Sequence, residues 1–229
     1  MSSAKSARTA NQVIQGALRA LCLNGVQATT TRKIAAEAKV PLATLHYHFE
    51  SKSALLMAVL KHLIDETTAA LRIEAKRSAD LASCVEQLLR RAWLFLIRTR
   101  DLQLVQYELT FYALREGAQW LAERQYDAYV NLYRDLLFDV AKQTGALNAS
   151  DCAALARFIL AGIDGLLIQE LAKPNRSRSA KGLEVLIRAG QSYALLLQKE
   201  CRERNHRRQK KATMELDVLP GSGQAALSV

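Results

Sequence analysis

Apolar residues recur along this chain three and four positions apart, and nowhere do they alternate with polar ones for long. That is the period of a helix face, not of a half-buried strand. Val13, Ala17, Leu18, Leu21 and Cys22 make the first stripe. Thr9-Ala10-Asn11-Gln12 reads as a capping box, so the first helix is predicted to begin near Thr9 and to end at Asn24-Gly25. A second helix is predicted after Thr29-Thr30-Thr31, with Ile34, Ala35 and Ala38 on its buried face. Lys39-Val40-Pro41 interrupts the pattern, and proline suits the first turn of a short third helix running from Leu42 to Phe49. Ser51 caps a longer fourth. Beyond residue 77 the pattern predicts five more helices, over 79–98, 102–114, 118–143, 150–172 and 179–200, with loops at 144–148 and 173–177. The expected class is all-α, with about nine helices and no internal repeat. Pro220-Gly221-Ser222-Gly223-Gln224 and the residues after it are expected to be a disordered tail.

Charge divides the chain further. Of a net +10, half falls in residues 1–60, where seven Lys and Arg face only Glu37 and Glu50. The other half falls in residues 199–211, again seven basic residues against two acidic ones. The long middle is neutral. A basic segment built of short helices favours a polyanion such as nucleic acid. The run from Arg202 to Lys211 lacks aromatics and is expected to be solvated, with extra nonspecific contact to DNA as the alternative.

Few residues offer catalytic chemistry. Cys22, Cys84, Cys152 and Cys201 are scattered, which predicts neither a disulfide framework nor a zinc site. There is no Gly-rich phosphate loop and no G-x-S-x-G elbow. The histidines are His46, His48, His62 and His206, too dispersed for a triad. An enzyme, a metal and a cofactor are therefore not expected. The polar start, Met1 to Thr9, and the lack of an apolar run of about 18 residues point to the cytoplasm.

Two short helices around a tight turn form a helix-turn-helix candidate. The run from Asn24 to Ala38 and the run from Val40 to Leu55 together resemble the DNA-binding domain of TetR-family transcriptional regulators, over about residues 8–58. The resemblance implies a three-helix N-terminal domain at 8–58, a ligand-binding and dimerisation domain at 59–200, and a basic, then disordered, tail at 201–229. It implies DNA contacts at Thr31, Arg32, Lys33, Leu42, Ala43, Thr44, Tyr47, His48 and Lys52. Thr31 opens the second helix, where free N–H groups suit a phosphate. Leu42, Ala43 and Thr44 begin the recognition helix. The first two lack hydrogen-bonding side chains, so readout there would be apolar, as against thymine methyl groups. Pro41 stands where the family usually has a polar cap. His46 stands where it usually has an aromatic, and a partly buried ring is expected there. Lys52 matches a backbone-anchoring lysine, and Leu45 and Phe49 are expected core.

The resemblance also implies that the middle helices surround an effector and that the last two pair with a second copy. Trp93, Tyr107, Glu108, Phe111, Trp120, Tyr126, Tyr129 and Tyr133 are the candidate ligand-binding residues; each also fits ordinary core. Glu108 suits a cationic group, or Arg115, or water. Gly162, Gly165, Leu166, Gln169, Leu186, Gly190, Tyr193 and Leu197 are the candidate dimer residues, at bundle spacing. The expected function is a homodimeric, ligand-responsive repressor of a palindromic operator in double-stranded DNA, with a small, largely apolar or aromatic effector and no membrane partner. A DNA-binding protein without effector, or a ligand-dependent activator or corepressor, is the alternative.

Overall fold

A computed structural model describes residues 2–73 and 78–217. Among the described residues there are nine helices and no strand: α1 Ser2–Ala28, α2 Thr31–Ala38, α3 Leu42–His48, α4 Lys52–Ile73, α5 Leu81–Arg98, α6 Arg100–Arg115, α7 Gln119–Thr144, α8 Ala149–Ala172 and α9 Arg176–Asp217. None is long and apolar enough to cross a membrane.

Local chemistry explains most boundaries. Asp80 and Asn148 cap α5 and α8, their side chains accepting from the N–H groups of Ser83 and Asp151. Gly145, at φ 63, closes α7 in the left-handed conformation glycine adopts cheaply. α1 departs from expectation at both ends. It starts at Ser2, and Thr9 lies inside it, its hydroxyl bonded to the Lys5 carbonyl at 3.1 Å, so the capping box does not form. At the other end the helix does not stop at Gly25 but kinks there, at φ 71 and ψ 171, and takes one more turn. Cys22 is exposed; Ala20 completes the buried stripe in its place.

α9 also outruns its prediction. It continues unbroken through the basic run to Asp217, supported by pairs one turn apart, Glu200 with Arg204 and Glu203 with Arg207. Arg204 also pairs with Asp151 at the start of α8, so the helix stays docked past residue 200. Beside that contact Cys152 and Cys201 are buried, as is Cys84 on α5. Burial, then the Asp151 carboxylate, pushes the Cys152 thiol up to about 12. The expected tail from Pro220 onward lies outside the described residues.

Several candidate dimer residues turn inward instead. A Cβ on Gly162 would fall 2.3 Å from Leu186, and one on Gly190 would fall 3.0 Å from Val85. Gly162, Gly190 and Leu186 are thus spent joining α8, α9 and α5 within one chain. Leu197 is core, and Leu166 packs over Gly182. Gly165 has open space, Gln169 is exposed, and Tyr193 lies against Phe158 with ring centroids 5.4 Å apart. The face left without a partner is a stripe that shares only Gly165 with those candidates. On α8 it holds Phe158, Ala161, Gly165 and Ile168; on α9 it holds Val185, Ala189, Ser192 and Leu196. The spacing of three and four is that of a helix-bundle seam.

Candidate nucleic-acid interface and effector cavity

The N-terminal helices are fixed by a few specific contacts. Gly16 lets α2 lie directly on α1, since a Cβ there would meet the Ala38 Cβ at 2.4 Å and its backbone at 2.5 Å. Gln12 donates to the Ala38 carbonyl at 2.8 Å, and Arg19 to the Glu37 carbonyl at 2.6 Å. Buried Thr29 ties the α1–α2 turn with its hydroxyl, 2.6 Å from the Gly25 carbonyl and 3.2 Å from that of Ala20. Thr30 is the N-cap of α2, accepting from Lys33 N–H at 3.3 Å. Lys39 ends α2 in the left-handed region at φ 53, where glycine would be less strained.

This frame turns α3 outward. Leu45 is fully buried and Phe49 half-buried, holding the helix from beneath. Ala43 and Tyr47 are exposed, with Leu42, Thr44 and His48 half-buried beside them. Tyr47 is 82% exposed, the most open of the large apolar side chains, and meets His48 edge-on at 5.1 Å. His46 is exposed, contrary to the partly buried ring expected: its position in the turn faces away from Leu45. Thr31 is half-buried at the start of α2, with Arg32 and Lys33 exposed after it. Lys33 and Lys52 both turn to the end of α1. Lys33 donates to Asn24 Oδ1 at 2.9 Å and to the Ala28 carbonyl at 3.0 Å; Lys52 donates to the Val26 carbonyl at 3.1 Å. Cations are favoured there because a helix's last carbonyls carry its negative pole.

Val26 is held from its other side too. Its N–H donates to Glu108 Oε2 of α6 at 2.7 Å, and the same carboxylate lies 3.4 Å from where a Gly25 Cβ would sit. Glu108 therefore does not face the interior of the C-terminal helices, as its candidate ligand role required. It joins α6 to the kink of α1. Its neighbour Tyr107 points the other way, and its hydroxyl donates to Asp164 Oδ1 of α8 at 3.3 Å.

Tyr107 opens onto a narrow, closely packed cleft between side chains. Thr67 and Leu71 of α4 wall one side. Gln103 and Gln106 of α6 and Gln125, Tyr129 and Tyr133 of α7 supply polar groups, and Asp164 comes from α8. Burial pushes the Asp164 carboxyl up to about 6, partly opposed by the Tyr107 hydrogen bond. Burial also raises the hydroxyls of Tyr107, Tyr129 and Tyr133, each further raised by the Asp164 charge. Leu71 and Tyr133 also border a second narrow cleft, lined by Cys84, Gln87, Leu88 and Arg91.

Of the eight candidate ligand residues, Tyr107, Tyr129 and Tyr133 come together at the first cleft. Tyr126, partly exposed, lies close enough to feel the charge of Asp164. Trp93 is packed against the core outside both clefts. Phe111 and Trp120 are 58% and 59% exposed, on the outward faces of their helices. Asp164 and the glutamines are not among the residues expected from sequence. Asp164 does leave a signal there, as the one charge in the run Phe158–Gln169.

Residues 13–59 match the family model described as bacterial regulatory proteins, tetR family. The HTH-type nicotine-responsive transcriptional repressor HdnoR of Paenarthrobacter nicotinovorans is 26% identical over 168 residues, covering 73% of this chain and 86% of that protein. A TetR family transcription regulator from Marinobacter aquaeolei VT8 superposes with a TM-score of 0.59 at 19% identity, over 83% of this chain and 97% of its own. The multidrug binding protein EbrR complexed with ethidium gives 0.59 at 25% identity, over 79% and 97%. FadR of Bacillus subtilis in complex with stearoyl-CoA gives 0.62 at 19% identity, over 77% and 96%.

Proposed function

Because the chain belongs to the TetR family of bacterial regulatory proteins, we propose that it is a transcriptional repressor, binding a palindromic operator as a homodimer and leaving it when a small, largely apolar or aromatic effector enters the α4–α8 cleft. The exposure of α3 carries this reading. Tyr47 is an aromatic side chain 82% open to solvent on a helix whose other side is locked into the core. Folding gains nothing from such exposure, whereas a recognition helix lying in a major groove needs it. Arg32, Lys33 and Lys39 stand exposed around it and suit duplex phosphates.

The unpartnered stripe on α8 and α9 supports the homodimer. A twofold pairing there would set two copies of α3 at a fixed separation, matched by a palindrome with half-sites one DNA turn apart or a multiple of it. HdnoR is a nicotine-responsive repressor, and EbrR and FadR were solved with small molecules bound, which supports an effector here. The route from cleft to DNA runs through α6, with Tyr107 on the cleft and Glu108 on Val26. An effector that favours a different setting of α6 would shift the population away from operator spacing.

Footprinting on the DNA upstream of the chain's own coding region tests the reading. The expected result is a protected palindrome, lost in a Thr44→Ala, Tyr47→Ala double variant that keeps the parent's melting temperature. Absence of any protected palindrome, or equal protection by the variant, overturns it.

A further inference from the structure

Asp164 is the one carboxylate lining the α4–α8 cleft, and its surroundings do not balance its charge. It projects from the largely apolar α8, flanked on the cleft wall by Leu160 and Ile163. None of the ion pairs among the described residues includes it. Its one hydrogen-bond donor is the Tyr107 hydroxyl, at the long distance of 3.3 Å. Burial raises its carboxyl to about 6, so at neutral pH it is mostly ionised and poorly compensated.

The groups around it share one electrostatic character. Tyr107, Tyr129 and Tyr133 line the same cleft, and the faces of their rings are negative. The Tyr129 hydroxyl and Gln106 Oε1 are buried and make no hydrogen bond of good geometry, although Thr67 and Gln106 stand closest to that hydroxyl. An anion entering here would meet a carboxylate and electron-rich rings. A hydrocarbon would leave Asp164 and two buried polar atoms unsatisfied. A cation with an apolar body balances Asp164 and suits the ring faces, and one that carries an N–H also brings a donor for Gln106 Oε1.

We propose that the effector is an organic cation, a protonated amine or quaternary nitrogen on an apolar or aromatic frame, with Asp164 as its counter-charge and the rings of Tyr107, Tyr129 and Tyr133 around it. The inference rests on the reading of this cleft as the effector site. It goes further by naming the charge of the ligand and the residue that selects for it.

Three matched probes test it on the purified full chain, by calorimetry without DNA: N-methyl-para-phenylpyridinium, its uncharged isostere para-methylbiphenyl, and the anion para-phenylbenzoate. The cation is expected to bind at least about ten-fold tighter than the other two, the usual scale of one charge-assisted contact. Asp164→Asn is expected to lose about ten-fold for the cation alone, and to melt no lower than the parent when unliganded. Failure of the cation to bind, equal or tighter binding of the neutral or anionic probe, or undiminished binding by the variant overturns the proposal. So does a lower melting temperature for the unliganded variant, the mark of a structural carboxylate. Operator release is scored separately. A chain that binds the cation but keeps its operator refutes the induction proposed above and leaves the ligand class standing; release by a neutral compound, equal in parent and Asp164→Asn, does the reverse.

Discussion

Replacing Glu108 with alanine removes the acceptor that holds the end of α1. At Gly25 the backbone takes φ 71 and ψ 171, values no helix contains, which turn the next N–H toward α6. There Val26 N–H meets the carboxylate at 2.7 Å. A hydrogen bond to a charged group contributes about 1.5–3 kcal/mol net, and this one is half-buried, so water can partly replace it. The lower end, about 1.5 kcal/mol, is the appropriate figure, equivalent to about a ten-fold change in local opening. Amide hydrogen exchange followed by NMR reads that opening directly. The Val26 amide should exchange about ten-fold faster in Glu108→Ala, with a smaller change in Glu108→Gln, whose amide oxygen still accepts. Operator affinity, measured by fluorescence anisotropy, should fall by up to about the same factor, because the end of α1 and the α2 start it supports lose their tie to α6. Unchanged exchange at Val26 together with unchanged operator affinity would refute the role given to this contact.

Gly16→Ala should destabilise the chain by at least about 2 kcal/mol, seen as a lower melting temperature, because the new Cβ would strike the backbone of Ala38 and not a movable side chain. Lys39→Gly should raise the melting temperature, by about 0.5–1 kcal/mol of stability, by relieving a side chain held at φ 53. The carboxyl of Asp164 titrates near 6 in the folded chain against 3.8 in its ordinary state, so folding favours its protonated form. That contribution is greatest below about pH 4 and is lost as pH rises through 6, a swing on the order of 2–3 kcal/mol. Melting curves from pH 4 to 7 should therefore show Asp164→Asn gaining steadily on the parent. Val185→Glu with Leu196→Glu should leave a monomer in analytical ultracentrifugation, since both side chains stand open on the unpartnered stripe at 66% and 51% exposure.

Helices were legible because their signals are local. Caps, the Pro41 break and the period of buried residues act within one or two turns, and α2, α3 and α5 to α8 fall within two residues of their expected limits. Where the sequence misled, competing local signals were present. The capping pattern at Thr9 lies inside a longer helix, and the charge-rich run after Gln198 is helical because its acidic and basic residues alternate by one turn. Side-chain direction was less legible. Gly162 and Gly190 permit close approach, but to α9 and α5 of the same chain, and nothing in their spacing tells one partner from another. Glu108 and Tyr107 are adjacent in sequence and serve opposite sides of α6, which comes from how the helices are stacked and from no motif.

The cysteines have a practical consequence. Three are sealed inside the C-terminal helices, while Cys22 stands exposed on α1 among the N-terminal helices. Its thiol is held above the usual range by partial burial and by Asp101, so mildly alkaline conditions favour its thiolate over a neutral buffer. Unaltered protein thus carries a native attachment point for a spin label or dye in the N-terminal helices, the proposed reading head. In a twofold assembly the two labels would form a ruler, and its length with and without effector would report how far apart the heads are set.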